Sequence, residues 1–164
     1  MILIGLGANL EHPRYGPPWR TLEAALEALR ESGVVILARS RWYRSAPVPP
    51  SDQPWFVNAV ASVETSLSPA ALLARLHEIE AQFGRSRRRR NEARVLDLDL
   101  LAYHDRVSAP GESPVLPHPR LAERAFVVLP LAEVAPDWRH PVSGLGVSEL
   151  VGRLDPAETA EPLE

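Results

Sequence analysis

Leucine alternates with aspartate in V-L-D-L-D-L-L-A-Y, residues 95–103, and this alternation restricts the fold more than any other stretch of the chain. Successive side chains of a strand point to opposite faces. Leu96, Leu98 and Leu100 therefore share one face. Asp97 and Asp99 share the other, about 6–7 Å apart at their Cα atoms. Such a strand is apolar on one side only. It belongs in an antiparallel sheet whose leucine face lies under helices and whose aspartate face stays partly open.

The periods upstream supply the rest of that sheet. Residues 1–6 are apolar and β-prone, and they run into the glycine-containing turn G-L-G-A-N-L at residues 5–10. This is not a dinucleotide fingerprint, because the third glycine is absent. Leu22, Ala25, Leu26 and Leu29 recur at i, i+3, i+4 and i+7, which predicts an amphipathic helix stopping near Gly33. Residues 34–43 read as one long strand. Residues 56–65 read as another, with Phe56, Asn58, Val60 and Ser62 on one face and Val57, Ala59, Ala61 and Val63 on the other. Ser68 and Pro69 supply an N-cap and an N1 proline to a second helix. Its stripe is Leu72, Leu76, Ile79 and Phe83, and Gly84 follows as its C′ residue. The order β-α-β-β-α-β is that of a ferredoxin-like α+β fold, an antiparallel sheet with helices on one face. Residues 121–134 read as short helical turns in a C-terminal extension. The 164 residues form a single domain, with a frayed acidic tail beyond about residue 155.

Two loops carry unusual chemistry. S-A-P-V-P-P-S-D-Q-P, residues 45–54, holds four prolines and is too long and stiff to be a mere connection. G-R-S-R-R-R-R-N-E-A-R, residues 84–94, packs six arginines into eleven residues. That cluster is local, because the whole chain carries a net charge of −3, which argues against a general nucleic-acid binder. All 18 basic residues are arginine, so Walker-type phosphate binding and Schiff-base chemistry lack their lysine. Any phosphate must be held by guanidinium groups, backbone amides or metal ions. The absence of cysteine excludes disulfides and thiolate metal sites and points to a reducing cytoplasm. No apolar run reaches the roughly 18 residues of a membrane span, and the N-terminus lacks a signal-peptide pattern.

Two neighbouring carboxylates repel each other unless something offsets the charge. Mg²⁺ is the natural candidate, since it favours carboxylate oxygen and recruits phosphate as its remaining ligands. The alternative is pairing with arginines such as Arg94. The arginine loop is a solvated segment, an RNA-binding patch, or a lid that closes over a triphosphate.

G-L-G-A-N-L, S-A-P-V-P-P-S-D-Q-P-W-F-V-N-A-V, E-I-E-A-Q-F-G-R, R-N-E-A-R-V-L-D-L-D-L-L and L-P-H-P-R-L-A-E-R-A-F-V-V-L-P-L-A-E-V-A-P follow one another in this order. As a set they resemble the 6-hydroxymethyl-7,8-dihydropterin pyrophosphokinase family of folate biosynthesis, over nearly the whole chain through Trp138. The resemblance implies transfer of pyrophosphate from ATP to the pterin hydroxymethyl group, with AMP released and two Mg²⁺ ions as cofactors. Asp97 and Asp99 match the carboxylates that hold those ions. With Arg85 and Arg94 they form the implied catalytic set, and Asp97 also borders the pterin. Arg87 and Arg90 match further arginines that approach the triphosphate, while Arg88 and Arg89 receive no role. His77, Glu80, Leu100, His118 and Arg124 match positions near the nucleotide. Ser45, Ala46, Pro47 and Val48 match the loop whose backbone reads the pterin edge. Asn58 corresponds to a hydrogen-bonding contact, Phe56 to a stacking one, and Phe126 closes the ring from the other side.

Taken residue by residue, plainer readings stand beside these. Asn58 satisfies neighbouring backbone, Phe56 and Phe126 are core, His118 is an incidental loop residue, and Glu80 is a surface partner of Arg75 or Arg85. The chain also departs from the family pattern: Asn91 replaces a loop tryptophan, His77 a glutamine, and Ala93 a proline. The partners implied are ATP and the dihydropterin, with no nucleic acid and no membrane, and the protein is a cytoplasmic monomer. Two rivals are an RNA-binding module and a regulatory small-molecule domain. The first expects exposed aromatics on the central strands, where this chain has two aspartates. The second expects ATP binding without turnover.

Overall fold

The computed structural model describes residues 1–84 and 95–163. The positions 85–94, with Arg85, Arg87, Arg90, Asn91, Ala93 and Arg94, lie outside the described residues. In chain order the elements are β1 (Ile2–Ala8), α1 (Pro18–Glu31), β2 (Val35–Arg39), β3 (Tyr43–Ser45), β4 (Phe56–Glu64), α2 (Pro69–Gln82) and β5 (Asp97–Tyr103). A 3₁₀ turn (Leu121–Glu123), α3 (Ala125–Val134), α4 (Val147–Gly152) and β6 (Ala160–Pro162) follow. The sheet runs β5-β1-β4-β3-β6, with β2 also on β4, and every pairing is antiparallel. This is the ferredoxin-like order, with the expected second strand split into β2 and β3. Among the described residues no helix is long and apolar enough to cross a membrane.

Alternation along β1 sends Ile2, Ile4, Leu6 and Ala8 to one face, where they meet Leu22, Leu26 and Leu29 of α1 and Leu72, Leu76 and Ile79 of α2. Leu96, Leu98 and Leu100 join the same core, as the Leu/Asp alternation requires. Each fully buried leucine contributes about 1.5–3 kcal/mol of transfer free energy. The start of α2 is secured by Ser68, whose Oγ accepts the Ala71 N–H at 3.2 Å. Gly84 follows its end with φ of 91°, a conformation in which a side chain would be strained.

Among the described residues the opposite face is covered at one end only. There the C-terminal extension lays α3 and α4 over Leu3, Val60, Leu101 and Ala102. A register shift between β1 and β5 at Leu3/Ile4 lets Leu101 and Ala102 both join this second core while Leu100 stays in the first. The far end of α3 is locked to the sheet by Glu133. Its carboxylate accepts the Arg41 backbone N–H at 2.9 Å, Arg41 Nε at 3.1 Å, Arg41 Nη2 at 3.0 Å and the Tyr43 hydroxyl. Burial pushes the Tyr43 hydroxyl up to about 12, with the Glu133 carboxylate adding to the shift. Burial acts upward on Glu133 too, but the hydrogen bonds from Arg41 and Tyr43 hold its carboxyl below the usual range.

Four expectations change. Residues 5–8 of the glycine-containing turn belong to β1, which stays paired through Ala8 with β4 and through Gly7 with β5. The long strand over residues 34–43 breaks at Ser40, which is 1% exposed. Ser40 donates its N–H to the Val60 carbonyl at 2.9 Å, and its Oγ accepts the Val60 N–H at 3.0 Å. A side chain thus takes the place of a ladder carbonyl, and the chain steps sideways between β2 and β3. The helical turns of the extension include a ten-residue helix, α3, with Pro130 inside it. The tail is not frayed: β6 pairs with β3, Arg44 Nε meets Glu161 at 3.1 Å, and the Leu163 N–H reaches the Trp42 carbonyl at 2.8 Å. The acidic tail finds a basic neighbour and an open strand edge, both supplied by residues far away in sequence.

Candidate active site

Cross-strand register builds the floor of the open end. Gly7 stands opposite Asn58 on β4 and Asp97 on β5, and Gly5 stands opposite Asp99. Directly opposed residues share a face, so both aspartates and Asn58 line one surface with bare glycines between them. A side chain would be tight at Gly7, where a Cβ would lie 3.0 Å from Asn58 Nδ2.

Above this floor lies a cavity of about 200 Å³. Ser45, Ala46, Pro47 and Val48 form one wall, Phe56 and Phe126 line it, and Asp97 reaches it from β5. The structure therefore brings together all but one of the expected pterin residues. The exception is Asn58, which is 5% exposed and lies behind Ser45, accepting its Oγ–H at 2.6 Å. The Ala46 N–H, in the loop expected to read a ligand edge through its backbone, donates to the Thr159 carbonyl at 3.2 Å.

A second recess, of about 290 Å³, adjoins along β5 and is lined by His77, Leu98, Asp99, Leu100 and His118. The side chain of Leu100 itself is in the helix-side core, 4% exposed. Arg124 lines the first cavity while its Nη1 stands 3.9 Å from Asp99 Oδ2, so it spans the two. His118 is anchored by its N–H to the Leu101 carbonyl at 2.8 Å, and its Nδ1 accepts the Arg120 N–H at 3.2 Å. The ring proton therefore sits on Nε2. Burial lowers the His118 pKa to about 4, Arg124 and Arg120 push the same way, and Asp97 only partly opposes them. The ring is neutral at physiological pH.

Glu80 requires a correction. It is not a surface residue: it is 1% exposed beneath β5, and its Oε2 accepts the Leu98 N–H at 2.8 Å. Among the described residues β5 is the edge strand, with no strand on its outer side to take this N–H, and the buried carboxylate accepts it. Sequence reasoning also missed several residues. Asn9, 2% exposed, donates Nδ2 to Gln53 Oε1 and to the Pro54 carbonyl, both at 3.1 Å, which fixes the proline loop to the end of β1. Gln53, Arg120, Glu123 and Glu158 all line the cavity. Asn9 and Gln53 stand inside motifs whose polar members were visible, whereas Glu158 sits in an acidic tail with no pattern to mark it.

Fold and cavities together define a ferredoxin-like α+β domain with two adjoining recesses along β5, Asp97 in one and Asp99 in the other. The chain belongs to the 7,8-dihydro-6-hydroxymethylpterin-pyrophosphokinase (HPPK) family, whose model matches residues 3–136. It is 42% identical over 155 residues to a 2-amino-4-hydroxy-6-hydroxymethyldihydropteridine pyrophosphokinase of Methylorubrum extorquens, covering 94% of this chain and 93% of that one. The namesake enzyme of Haemophilus influenzae is 42% identical over 149 residues, covering 90% and 89%. A solved wild-type HPPK-DHPS of Plasmodium falciparum superposes with a TM-score of 0.70 at 14% identity, over 93% of this chain and 44% of that one. That last likeness is one of fold.

Proposed function

We propose that the chain transfers the pyrophosphoryl group of ATP to the hydroxymethyl oxygen of 6-hydroxymethyl-7,8-dihydropterin, releasing AMP, as a step of folate biosynthesis. The observation that carries this reading is the meeting of the two chambers across β5: Asp97 lines one and Asp99 the other. A phosphate chain lying over these carboxylates brings an acceptor in the first chamber into line with a nucleotide in the second.

The residues divide the work by chemistry. Phe56 and Phe126 flank the flat pterin in the first chamber, while Ser45, oriented by Asn58, and the backbone of the 45–48 loop border its polar edge. In the second chamber the neutral His118 ring offers Nε2–H as a donor, and His77 and the Leu98–Leu100 backbone bound the nucleotide. Arg124, placed between the chambers, directs its guanidinium at charge that builds on the transferring group. Arg85, Arg87, Arg90 and Arg94 belong to the same reading as triphosphate contacts. Glu80 holds β5, and through it the aspartates.

Mg²⁺ fits Asp97 and Asp99: they are two half-buried carboxylates on one face, and among the described residues no third acidic or imidazole group clusters with them to complete a protein-only shell. That matches an ion which keeps waters and takes phosphate oxygens as its remaining ligands. Two such ions, when bound, neutralise phosphate charge and polarise the group being transferred. The hydroxymethyl oxygen attacks the β-phosphorus, the bond from that phosphorus to the α-β bridging oxygen breaks, AMP leaves with that oxygen, and the hydroxyl proton passes to solvent. Incubation with ATP, Mg²⁺ and the dihydropterin should yield AMP and the pterin diphosphate in equal amounts. ADP in place of AMP would overturn the reading.

A further inference from the structure

The acidic tail is tied to both walls of the first chamber, and one of its side chains caps a helix start that the helix's own residues leave uncapped. Helix α3 starts at the chamber with Arg124 as its N-cap residue, but Arg124 makes no side-chain cap and the first turn contains no acidic residue. A helix start leaves backbone N–H groups without partners inside the helix and favours a negative charge nearby. Here the group that answers is remote. Glu158 Oε1 accepts the Ala125 N–H at 3.2 Å, and Glu158 also lines the cavity. Ala125 lies directly between Arg124, whose Nη1 stands 3.9 Å from Asp99 Oδ2, and Phe126, which lines the chamber together with Phe56.

The tail holds Glu158 in place from both sides. Before it, a turn is closed by the Glu158 N–H on the Asp155 carbonyl at 3.0 Å and by the Ala157 N–H on Asp155 Oδ1 at 2.9 Å. After it, Thr159 accepts the Ala46 N–H at 3.2 Å, and β6 continues along β3, with Ala160 opposite Ser45. One short segment therefore fastens the Ser45–Ala46 wall through its backbone and the Arg124–Phe126 wall through a carboxylate. Glu133 fixes the other end of α3 from within the helix, so Glu158 is its counterpart at the chamber end.

We propose that Glu158 is a positioning residue of the pterin chamber: by capping α3 from the C-terminal tail it sets the spacing between Phe126 and the 45–48 loop. The inference rests on the pterin pyrophosphokinase reading. Its test is steady-state kinetics on the full-length chain, with AMP as readout and each substrate varied in turn. Glu158→Ala should raise KM for the dihydropterin about five- to tenfold, the range of a lost helix cap, with KM for ATP within about twofold. Glu158→Gln keeps an acceptor oxygen and should recover most of that loss. Glu161→Ala removes the Arg44 ion pair from the same strand but not the cap, and should change the pterin KM by less than about twofold. Equal rises in both KM values, an equal effect of Glu161→Ala, or no recovery in Glu158→Gln would each overturn the proposal. If Glu158→Ala does not fold, the comparison of Glu158→Gln with Glu161→Ala decides alone, and a larger defect in the former overturns it. A wild-type chain that forms no AMP defeats the functional reading, whereas an active wild type with an unaltered Glu158→Ala defeats only this inference.

Discussion

The two faces of β5 show how one strand serves packing and chemistry at once. Beneath it, Leu96, Leu98 and Leu100 are buried among the helix stripes, and Glu80 is enclosed with the Leu98 N–H. Above it, Asp97 and Asp99 stand half-buried over the glycines of β1. All three acids meet one stretch of the strand, Asp97 and Asp99 from within it and Glu80 from α2 beneath, yet their surroundings assign opposite work. A carboxylate shut away from water on a strand N–H is committed to holding structure. A pair of carboxylates side by side on a partly open face is available to charge and ligand rather than committed to packing, and opposite charge nearby offsets their mutual repulsion. The lower face should therefore govern stability and, through it, activity, while the upper face should govern activity alone.

The sharpest way to break this comparison is Asp97→Asn. It keeps the shape and removes the charge, so turnover should fall about 10³-fold or more. The thermal midpoint of the metal-free protein should stay within about 2 °C. Parallel AMP assays and melting curves check this; a collapse in stability would show that Asp97 is a structural acid like Glu80. Glu80→Ala is the converse and the second largest effect. It leaves the Leu98 N–H buried without its acceptor, which should destabilise the fold by about 1–3 kcal/mol. It also lets β5 shift under the aspartates, which should lower turnover by about 10–100-fold, as loss of a supporting residue does. Denaturant unfolding and AMP formation together test it, and an inactive variant of full stability would place Glu80 in direct contact with substrate instead.

How far the sequence carried this division differs between the faces. The period of 2 in V-L-D-L-D-L placed the leucines below and the aspartates above without any partner being known, because strand geometry alone decides it. The helix stripes of α1 and α2 were legible for the same reason. Glu80 was not, since a stripe marks only apolar positions, and the acceptor for the Leu98 N–H is chosen by a contact across 18 residues. Ser40 escaped likewise: Val35 and Ile36 before it and Trp42 and Tyr43 after it favour a strand, and the break depends on its hydroxyl bonding Val60. The tail was misread because its acidic composition signals solvation, whereas Arg44 and the free edge of β3 lie more than a hundred residues upstream. Of the site, the paired acids and the aromatic walls were readable from motifs. Their supports at Asn9, Gln53 and Glu158 were not assigned, because each acts through a tertiary hydrogen bond.

The glycines of β1 give the finest test of the upper face. Alternation places Gly5 and Gly7 on the same side as the aspartates, and only at Gly7 does a neighbour come close enough to matter, with Asn58 Nδ2 3.0 Å from a built Cβ. At Gly5 the nearest atoms belong to Leu101, at 3.4 Å, an ordinary contact. Gly7→Ala should push the Asn58 amide aside and, through its bond to Ser45 Oγ, disturb the wall of the first chamber. Nothing on the helix side is touched, so stability should change by less than about 1 kcal/mol. The dihydropterin KM should rise about tenfold, with KM for ATP unchanged, because His118 and Asp99 lie in the other recess. Gly5→Ala should leave both constants near wild type. Equal defects in the two variants would mean that the bare floor serves strand packing generally, and the separation of the faces would then fail at β1 even if it holds at β5.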